Sequence, residues 1–298
     1  MNLRNVVLCG FGLLMSVGAS AQINVLNAKT PDEIGKKTEE QIAYDNDTPL
    51  PYGYVDERDV LWSKTTWELI DLDERVNFPL YYPIDTNNIG SERRSLYDVL
   101  TKAIKHGDIK EVYADSYFTE KRTLDDIEAS LVYSDTTDLG IDQYNAEGKV
   151  DPEYIRKFTL DAGDIEAWKI RGYWYLDKRQ GELRYRMLGL CPMANEARSK
   201  AFDDGVEASV ELFWVWFPEA RKVLHEAKAF NRKNTSQPIS YDHLLNSRRF
   251  HAVVYKEDNV QGDRGVADYI SDNALMQLLE SDRIREQIRN IEIDLWNY

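Results

Sequence analysis

The sequence predicts an α+β protein, with a mostly antiparallel sheet, helices packed against it and a long extended N-terminal arm. Three observations support this prediction. Residues 168–187 form two apolar-polar alternating runs around a short turn, residues 210–217 are almost continuously apolar, and capped amphipathic segments begin after Ser95 and Thr123. Alternation with period two is typical of strands, and the capped segments are typical of helices.

The first residues predict a secretory signal peptide. Arg4 precedes the apolar run from Val6 to Val17, and Ala19-Ser20-Ala21 matches an A-x-A cleavage site. Cys9 lies inside the apolar run without the small preceding residue of a lipidation signal, so we expect cleavage near Ala21 and no direct membrane anchor.

The expected mature chain is strongly acidic. Removal of Arg4 leaves 36 basic residues against 52 acidic ones, a formal charge of −16. Nucleic acids and anionic lipids are bound by clustered Lys and Arg, so we expect neither as a partner. Cleavage would also leave Cys191 as the one cysteine, so an internal disulfide cannot form and the core must hold the fold.

We divide the chain into a signal peptide (1–21), an N-terminal arm (22–66) and a core domain (67–298). The arm begins with a capping box at Thr30, and its prolines predict extended chain after residue 46. Short elements bury little surface by themselves, so the arm has to lie on the core or on another chain. Residues 44–85 are our candidate for a partner-binding segment, with "FPLYYP" (78–83) extended and Trp67, Ile70, Leu72 and Val76 as apolar anchors.

The core domain is predicted as helices alternating with strands. Ser95 caps a helix that ends before Gly107, and Thr123 starts a second helix. Residues 134–154 are polar and rich in turn residues, which predicts a loop. A hairpin turns at Lys178–Gly181, residues 210–217 form one strand stopped by Pro218, residues 248–259 contain another strand, and the chain ends in an amphipathic helix whose apolar seam includes Ile284 and Ile288.

No motif for catalysis, metal binding or a cofactor is present. The four histidines are not at ligand spacing, no C-x-x-C occurs, and phosphate loops and the G-x-S-x-G elbow are missing. Paired carboxylates are the remaining enzymatic possibility: Glu211 with Asp71 or Glu74 would serve a glycosidase if the two faced each other across a cleft. We expect instead that Glu211 pairs with an arginine or marks a strand end, and that the chain is not an enzyme.

Six segments together resemble one family. They are "WELIDLDERVNFPLYYPID", "RRSLYDVLTKAI", "EVYADSYF", "FWVWFPEAR", "NSRRFHAVVYKEDN" and the terminal "IEIDLWNY". Their order and spacing are similar to the gliding motility protein N family, called GldN or, in non-gliding relatives, PorN. The resemblance runs from about Asn27 to Tyr298.

This resemblance implies a structural part of the type IX secretion and gliding machinery of Bacteroidota. Members form a periplasmic ring beneath the outer membrane with a lipoprotein (GldK or PorK) and contact the periplasmic part of the motor protein (GldM or PorM). The family has no established catalytic residues. The alternative from the residues alone is a periplasmic module that binds or hydrolyses cell-wall glycan.

Aromatic residues and arginines are enriched in interface cores, and the chain supplies both in its proline-bearing segment and its hairpin. An ordinary sheet with one wet face would explain the hairpin residues equally well. Our candidates for partner contact are Pro49, Pro51, Tyr52, Tyr54, Trp67, Tyr81, Tyr82, Tyr173, Tyr175, Arg184, Arg186 and Trp296.

Overall fold

The computed structural model describes residues 30, 43–44, 47–85, 93–200, 209–234 and 238–296, except the side chains of residues 295 and 296. Residues Pro49–Thr86 and Arg93–Tyr298 form one compact unit. The predicted signal peptide and the helix predicted after Thr30 lie outside the described residues. The α+β prediction is confirmed.

The main sheet contains eight of the twelve described strands. Its order is β12-β1-β6-β7-β9-β2-β3, with β8 also paired to β7, and its neighbours are antiparallel. The strands are β1 (Val60–Asp71), β2 (Val112–Tyr113), β3 (Lys121–Arg122), β4 (Val132–Thr136), β5 (Ile155–Thr159), β6 (Ile165–Asp177), β7 (Glu182–Asn195), β8 (Ser209–Glu211), β9 (Trp214–Trp216), β10 (Lys228–Ala229), β11 (Ile239–Ser240) and β12 (Val253–Glu257). β4 pairs with β5, and β10 pairs with β11, in two small separate sheets.

Eight helices complete the described part of the chain. They are α1 (Phe78–Tyr81), α2 (Leu96–His106), α3 (Leu124–Leu131), α4 (Asp138–Glu147), α5 (Phe217–Glu226), α6 (Tyr241–Asn246), α7 (Val266–Tyr269) and α8 (Ala274–Trp296). The predicted caps are confirmed: the Ser95 hydroxyl accepts a hydrogen bond from Asp98 N, and Thr123 forms a capping box with Asp126. Gly107 ends α2 in the left-handed conformation (φ 79°), which costs glycine little.

The predicted hairpin is also confirmed. β6 and β7 pair from Ile165↔Ala194 to Asp177↔Glu182, and Gly181 takes a positive φ of 63° in the turn. β1 lies on the other side of β6 and pairs with it along its whole length. The boundary that the sequence suggested between residues 66 and 67 therefore falls inside β1, and residues 60–66 belong to the sheet. The alternating pattern "VLWSKTT" is typical of a strand, but the prolines just before it favoured assignment of these residues to the extended arm.

Three local predictions were wrong. Residues 134–154 contain the end of β4 and all of α4, residues 78–81 are helical rather than extended, and residues 210–217 form β8 and β9 with a break at Leu212 and Phe213. In the last case the apolar pattern marked burial correctly, since Leu212 to Val215 are almost fully buried. Pro218 then lies in the first turn of α5, where its missing N–H costs no helical hydrogen bond.

The core includes a buried ion pair. Arg248 Nη2 lies 2.6 Å from Glu68 Oε2, and Glu68 is only 1% exposed. The guanidinium carbon of Arg248 lies 4.3 Å from the ring centre of Tyr185 and 5.2 Å from that of Trp174. Aromatic faces attract a partly desolvated cation, so β1, β6 and β7 converge on this arginine.

The C-terminal helix α8 covers the β12 edge of the sheet. Its Ile284 and Ile288 are buried with Val254 of β12, and the Ser281 hydroxyl accepts the Val254 N–H at 2.9 Å. The predicted apolar seam is confirmed for these two isoleucines. The bond from Val254 removes one free donor from an edge strand, which otherwise invites pairing with another chain.

Candidate interaction surface

A short segment before β1, which we call the N-terminal strap (residues 49–56), lies on the β6–β7 hairpin. It has neither helix nor strand, and two of its carbonyl groups are held by arginines. Gly53 O accepts a hydrogen bond from Arg186 Nη2 at 3.0 Å, and Tyr54 O accepts one from Arg179 Nη2 at 2.9 Å. The strap is therefore fixed through its backbone, while the Tyr54 side chain is 82% exposed.

Tyr52 is the side chain that anchors the strap. Its hydroxyl donates to Asn246 Oδ1 at 2.7 Å. Its ring centre lies 4.1 Å from the guanidinium carbon of Arg221 and 4.7 Å from that of Arg186. We call the group Arg186, Arg221, Asp242 and Asn246 the Tyr52 socket. Burial raises the pKa of Tyr52 despite the attraction of Arg221, so the anchor is neutral at physiological pH.

Three of the four socket residues lie on helices α5 and α6, and Arg186 lies on β7. One face of α5 is buried and has helical spacing; it consists of Phe217, Ala220, Arg221 and Leu224. The charged side chain of Arg221 therefore points toward the core. Asp242, on α6, neutralises it by a bidentate pair of 2.8 and 3.1 Å. The hydrogen bond to Asp242 raises the pKa of Arg221, which keeps it a cation below the Tyr52 ring.

Asn246 completes the arrangement. Its amide nitrogen donates to Asp242 O at 2.9 Å and to Asp242 Oδ1 at 2.8 Å, so its amide oxygen is free to accept from Tyr52. The whole chain of contacts, from tyrosine to asparagine to aspartate to arginine, is satisfied by side chains. A tyrosine is therefore recognised by both its ring and its hydroxyl.

Further tyrosines extend this surface along the hairpin. Tyr173 and Tyr175 stack at 6.1 Å with an interplanar angle of 26°, and Arg186 lies between Tyr175 (5.6 Å) and Tyr52. Arg184 is opposite Tyr175 in the β6–β7 register and pairs with Glu182 at 3.1 Å. The structure thus brings five of the predicted contact residues together, although Tyr175 itself is almost fully buried.

The remaining predicted contact residues lie elsewhere or are not available for contact. Tyr81 and Tyr82 pack edge-to-face at 4.8 Å at the end of α1, and Tyr82 is exposed. In the strap, Pro49 is half-buried and Pro51 is exposed. Trp296 ends α8, and its side chain is outside the described atoms.

The prediction that Trp67 contacts a partner is wrong. It is 0% exposed in the middle of β1, beneath Arg171 (5.0 Å) and Lys256 (4.5 Å), so it cannot touch a partner. Ile70 and Leu72 are buried as expected, but Val76 is 46% exposed and anchors nothing. A tryptophan that is covered in this way is a core residue, even though tryptophan is common in interfaces.

Sequence reasoning missed Arg221, Asp242 and Asn246. They are separated from Tyr52 by more than 160 residues, and no local pattern links them to it. The single local signal was the position of Arg221 on the apolar side of a helical pattern, which implies a buried partner of opposite charge.

The carboxylates considered for catalysis have structural partners. Glu211 lies 2.8 Å from Lys169 Nζ and accepts a hydrogen bond from Trp214 Nε1 at 2.7 Å. It lies at the end of β8 as expected, with a lysine in place of the expected arginine. Glu74 lies 2.7 Å from His251 Nδ1. Each of the two side chains thus has a hydrogen-bonding partner of its own.

The described residues contain neither a candidate metal site nor a reactive thiol. No group of three or more His, Cys, Asp or Glu side chains there could hold a metal ion. Cys191 is fully buried, and burial raises the pKa of its thiol, which opposes formation of a nucleophilic thiolate. Among the same residues, no helix combines the length and apolar character needed to cross a membrane.

Comparison with protein families gives a match over most of the chain. The family described as "Gliding motility associated protein GldN" matches residues 55–297. The chain belongs to the GldN family. The match spans the whole sheet and all eight helices, and it includes the four residues of the Tyr52 socket. A search among curated proteins finds no match.

The GldN match begins at Val55, within the strap, so Tyr52 precedes the matched region while its socket lies inside it. Membership makes this chain a gliding-motility-associated protein, as the sequence resemblance implied.

Proposed function

We propose that this chain is a structural subunit of the type IX secretion and gliding machinery. In this proposal it lies in the periplasm at the inner face of the outer membrane, forms a ring with a lipoprotein of the GldK or PorK kind, and couples that ring to the motor protein GldM or PorM. The observation that carries the proposal is the GldN family match over residues 55–297.

The interaction surface supports a scaffold role. Arginines and tyrosines are the residue types that interface cores favour, and Tyr173, Tyr175, Arg184 and Arg186 lie on one face of the hairpin. The strap is held on the core at Tyr52, Gly53 and Tyr54. Its exposed residues, such as Tyr54, are therefore held in place for contact with a neighbouring subunit or the lipoprotein.

The carboxylates support a non-enzymatic role. Glycoside hydrolysis requires two acids across a cleft, one with a raised pKa. Glu211 and Glu74 are engaged by Lys169 and His251 instead. These partners favour structural roles for Glu211 and Glu74 over a role in glycan cleavage.

Isolation of the native assembly tests this function. An affinity tag inserted at Val260, whose side chain is fully exposed, leaves the strap and α8 unchanged. Envelopes would be solubilised in detergent, and the purified material examined by negative-stain electron microscopy and mass spectrometry. We expect large rings that contain a lipoprotein. Recovery of the intact chain as a lone soluble monomer would contradict the proposal.

Tyr52→Ala tests the role of the strap in the same preparation. The variant removes the anchor but keeps the socket pair Arg221–Asp242, so the core should fold and ring recovery should fall. Tyr144→Ala is the matched control, because Tyr144 is an exposed tyrosine on α4. Equal ring recovery from both variants would show that the strap does not serve assembly.

A further inference from the structure

Two cations and a tryptophan form a row across one face of the main sheet. In the strand register, Trp67 of β1 is paired with Lys256 of β12 on one side and with Arg171 of β6 on the other. The Arg171 guanidinium carbon lies 5.0 Å from the centre of the Trp67 ring, and Lys256 Nζ lies 4.5 Å from it. We call these three residues the cation row. Ile170, the preceding residue of β6, points into the core on the other face of the sheet.

Neither cation of the row forms an ion pair with another residue that the structure describes. Arg171 Nη1 donates to Ser116 O at 2.8 Å, and Lys256 Nζ donates to the Tyr117 hydroxyl at 2.8 Å. The Tyr117 hydroxyl in turn donates to Asp263 Oδ2 at 3.1 Å, so this carboxylate reaches Lys256 only through the tyrosine. Half-buried charges are normally paired, and this chain has 52 acidic residues against 37 basic ones. Two adjacent cations without a carboxylate are therefore a departure that requires an explanation.

The available donors of the row match a carboxylate. Arg171 Nε and Trp67 Nε1 are buried and have no hydrogen-bond partner among the described residues, and Arg171 Nη2 makes no hydrogen bond to them either. Arg221 uses the same two atoms, Nε and Nη2, to hold both carboxylate oxygens of Asp242. A guanidinium fork fits a carboxylate in this bidentate way, and a buried N–H without an acceptor destabilises a fold.

Tyr117 is the side chain that covers the row. The centre of its ring lies 5.6 Å from that of Trp67, 5.2 Å from the Arg171 guanidinium carbon and 4.8 Å from Lys256 Nζ. Tyr117 is nevertheless 42% exposed, and it belongs to the turn between β2 and β3 instead of to a strand. Rotation of this one side chain toward solvent would uncover all three members of the row.

We propose that the cation row is a binding site for a carboxylate group, which enters when the Tyr117 side chain turns away. The Nε–Nη2 edge of Arg171 binds the two oxygens, and Lys256 exchanges the tyrosine hydroxyl for one of them. The Trp67 N–H becomes the third donor once the tyrosine ring no longer covers it. All donors belong to one chain, so binding here does not require ring formation.

The charge of the rest of the molecule makes such binding selective. A chain with a net charge of −15 repels anions in general, so saturable binding of an anion requires a local group of uncompensated cations. Lys169, two residues before Arg171 on β6, does not qualify because Glu211 neutralises it at 2.8 Å. The carboxylate belongs either to a small free acid or to an acidic side chain of another protein, and the choice of probe separates these two sources.

Nuclear magnetic resonance titration of the purified protein tests the site through the indole N–H signal of Trp67. Sodium acetate serves as the free carboxylate and a hexaglutamate peptide as the chain-borne one, each compared with sodium chloride at equal ionic strength. We expect a saturable shift of the Trp67 signal with a carboxylate probe and none with chloride. A shift with acetate alone would identify a small acid as the ligand, and a shift with hexaglutamate alone would identify an acidic protein segment. Trp168, buried in the core on the other face of the sheet, is the internal control.

Matched variants identify the donors. Arg171→Lys keeps a cation over the aromatic rings but removes the fork, so the dissociation constant should rise about tenfold. Lys256→Gln should raise it about threefold, whereas Lys105→Gln, which removes an exposed lysine of α2, should leave it unchanged. Tyr117→Ala removes the cover, so the dissociation constant should fall. Circular dichroism would establish that each variant is folded.

Three outcomes would overturn the inference. They are a Trp67 signal that neither carboxylate probe shifts, an equal shift with sodium chloride, and equal affinity of Arg171→Lys and the unchanged protein. If Arg171→Lys does not fold, Lys256→Gln and Tyr117→Ala decide the question, because their dissociation constants should change in opposite directions. A change in the same direction, or no change in either variant, would then contradict the site.

Discussion

Two arginine-centred clusters in this molecule use the same chemistry for different ends. In the core cluster, Arg248 pairs with Glu68 at 2.6 Å and lies against the rings of Tyr185 and Trp174. In the Tyr52 socket, Arg221 pairs with Asp242 at 2.8 Å and lies against the ring of Tyr52. Each is an arginine, a carboxylate and an aromatic face.

The two clusters differ in whether their aromatic residue can be removed without disturbing the sheet. In the core cluster the aromatic rings belong to β6 and β7 and the carboxylate to β1, so all three partners of Arg248 are part of the sheet. In the socket, the ion pair joins α5 to α6, and the ring comes from a strap without secondary structure. Removing Tyr52 leaves no charge unpaired. The first cluster should therefore determine stability, and the second should determine where a segment lies.

Arg248→Met gives the largest expected effect. It leaves the Glu68 carboxylate buried without its cation, and breaking a buried pair in this way costs about 3–5 kcal/mol. Urea unfolding of the purified protein, followed by circular dichroism, measures the loss. Arg285→Met is the control, because its pair with Asp282 is solvent-accessible and worth about 0–1 kcal/mol. A loss of less than about 1 kcal/mol for Arg248→Met would show that the core cluster does not differ from a surface pair.

Gly172→Ala tests the same cluster through its packing. A Cβ at this position of β6 would collide with the Tyr185 ring and hydroxyl, which contact Arg248. Overpacking of this kind costs about 1–3 kcal/mol. Gly53→Ala in the strap is the control, because nothing lies within 4 Å of the added Cβ there. Equal unfolding midpoints for the two variants in urea would remove the proposed contrast between sheet and strap.

Alkaline pH should weaken the core through its buried tyrosines. Burial raises the pKa values of Tyr185, Tyr241 and Tyr255 well above the ordinary value of about 10. Between that value and their folded-state pKa, the unfolded chain loses these protons while the folded chain keeps them, so stability falls as pH rises. At pH 11 the expected loss is about 1.4 kcal/mol for each such tyrosine.

A spectrophotometric titration checks this expectation. Phenolate absorbance should rise in two phases, with the second phase coinciding with loss of the circular dichroism signal. In denaturing urea, all tyrosines should ionise in a single phase near pH 10. A single phase in the native protein, with the fold intact, would show that the core tyrosines are accessible to solvent.

Local elements of this fold were predictable from sequence, and contacts between distant elements were not. Caps at Ser95 and Thr123 and the turn at Gly181 depend on a few adjacent residues, and all three predictions are confirmed. Helix α4 was missed because its composition is polar and it contains Gly140. The structure shows why glycine is there: a Cβ would lie 2.8 Å from atoms of Thr136 and Tyr154.

The interaction surface shows the same division. The tyrosines and arginines of the hairpin were recognisable by type, and the strand register brings them together. Trp67 was of the same type but is core, because it packs with Cys191 and Trp214 beneath Arg171 and Lys256, contacts that local sequence does not contain. The partners of Tyr52 were missed for the same reason, since only tertiary packing brings α5 and α6 beneath the strap.

Tyr52→Phe gives the smallest and most specific effect. It keeps the ring between Arg186 and Arg221 and removes only the hydroxyl that donates to Asn246. The free energy of unfolding should fall by about 0.5–1.5 kcal/mol at most, the net value of one hydrogen bond. Hydrogen exchange should nevertheless rise in residues 52–56 and remain unchanged in β6, because opening of the strap does not require opening of the sheet. If exchange rose equally in both segments, the strap and the sheet would open as one unit, and the socket would be an extension of the core cluster instead of a separable anchor.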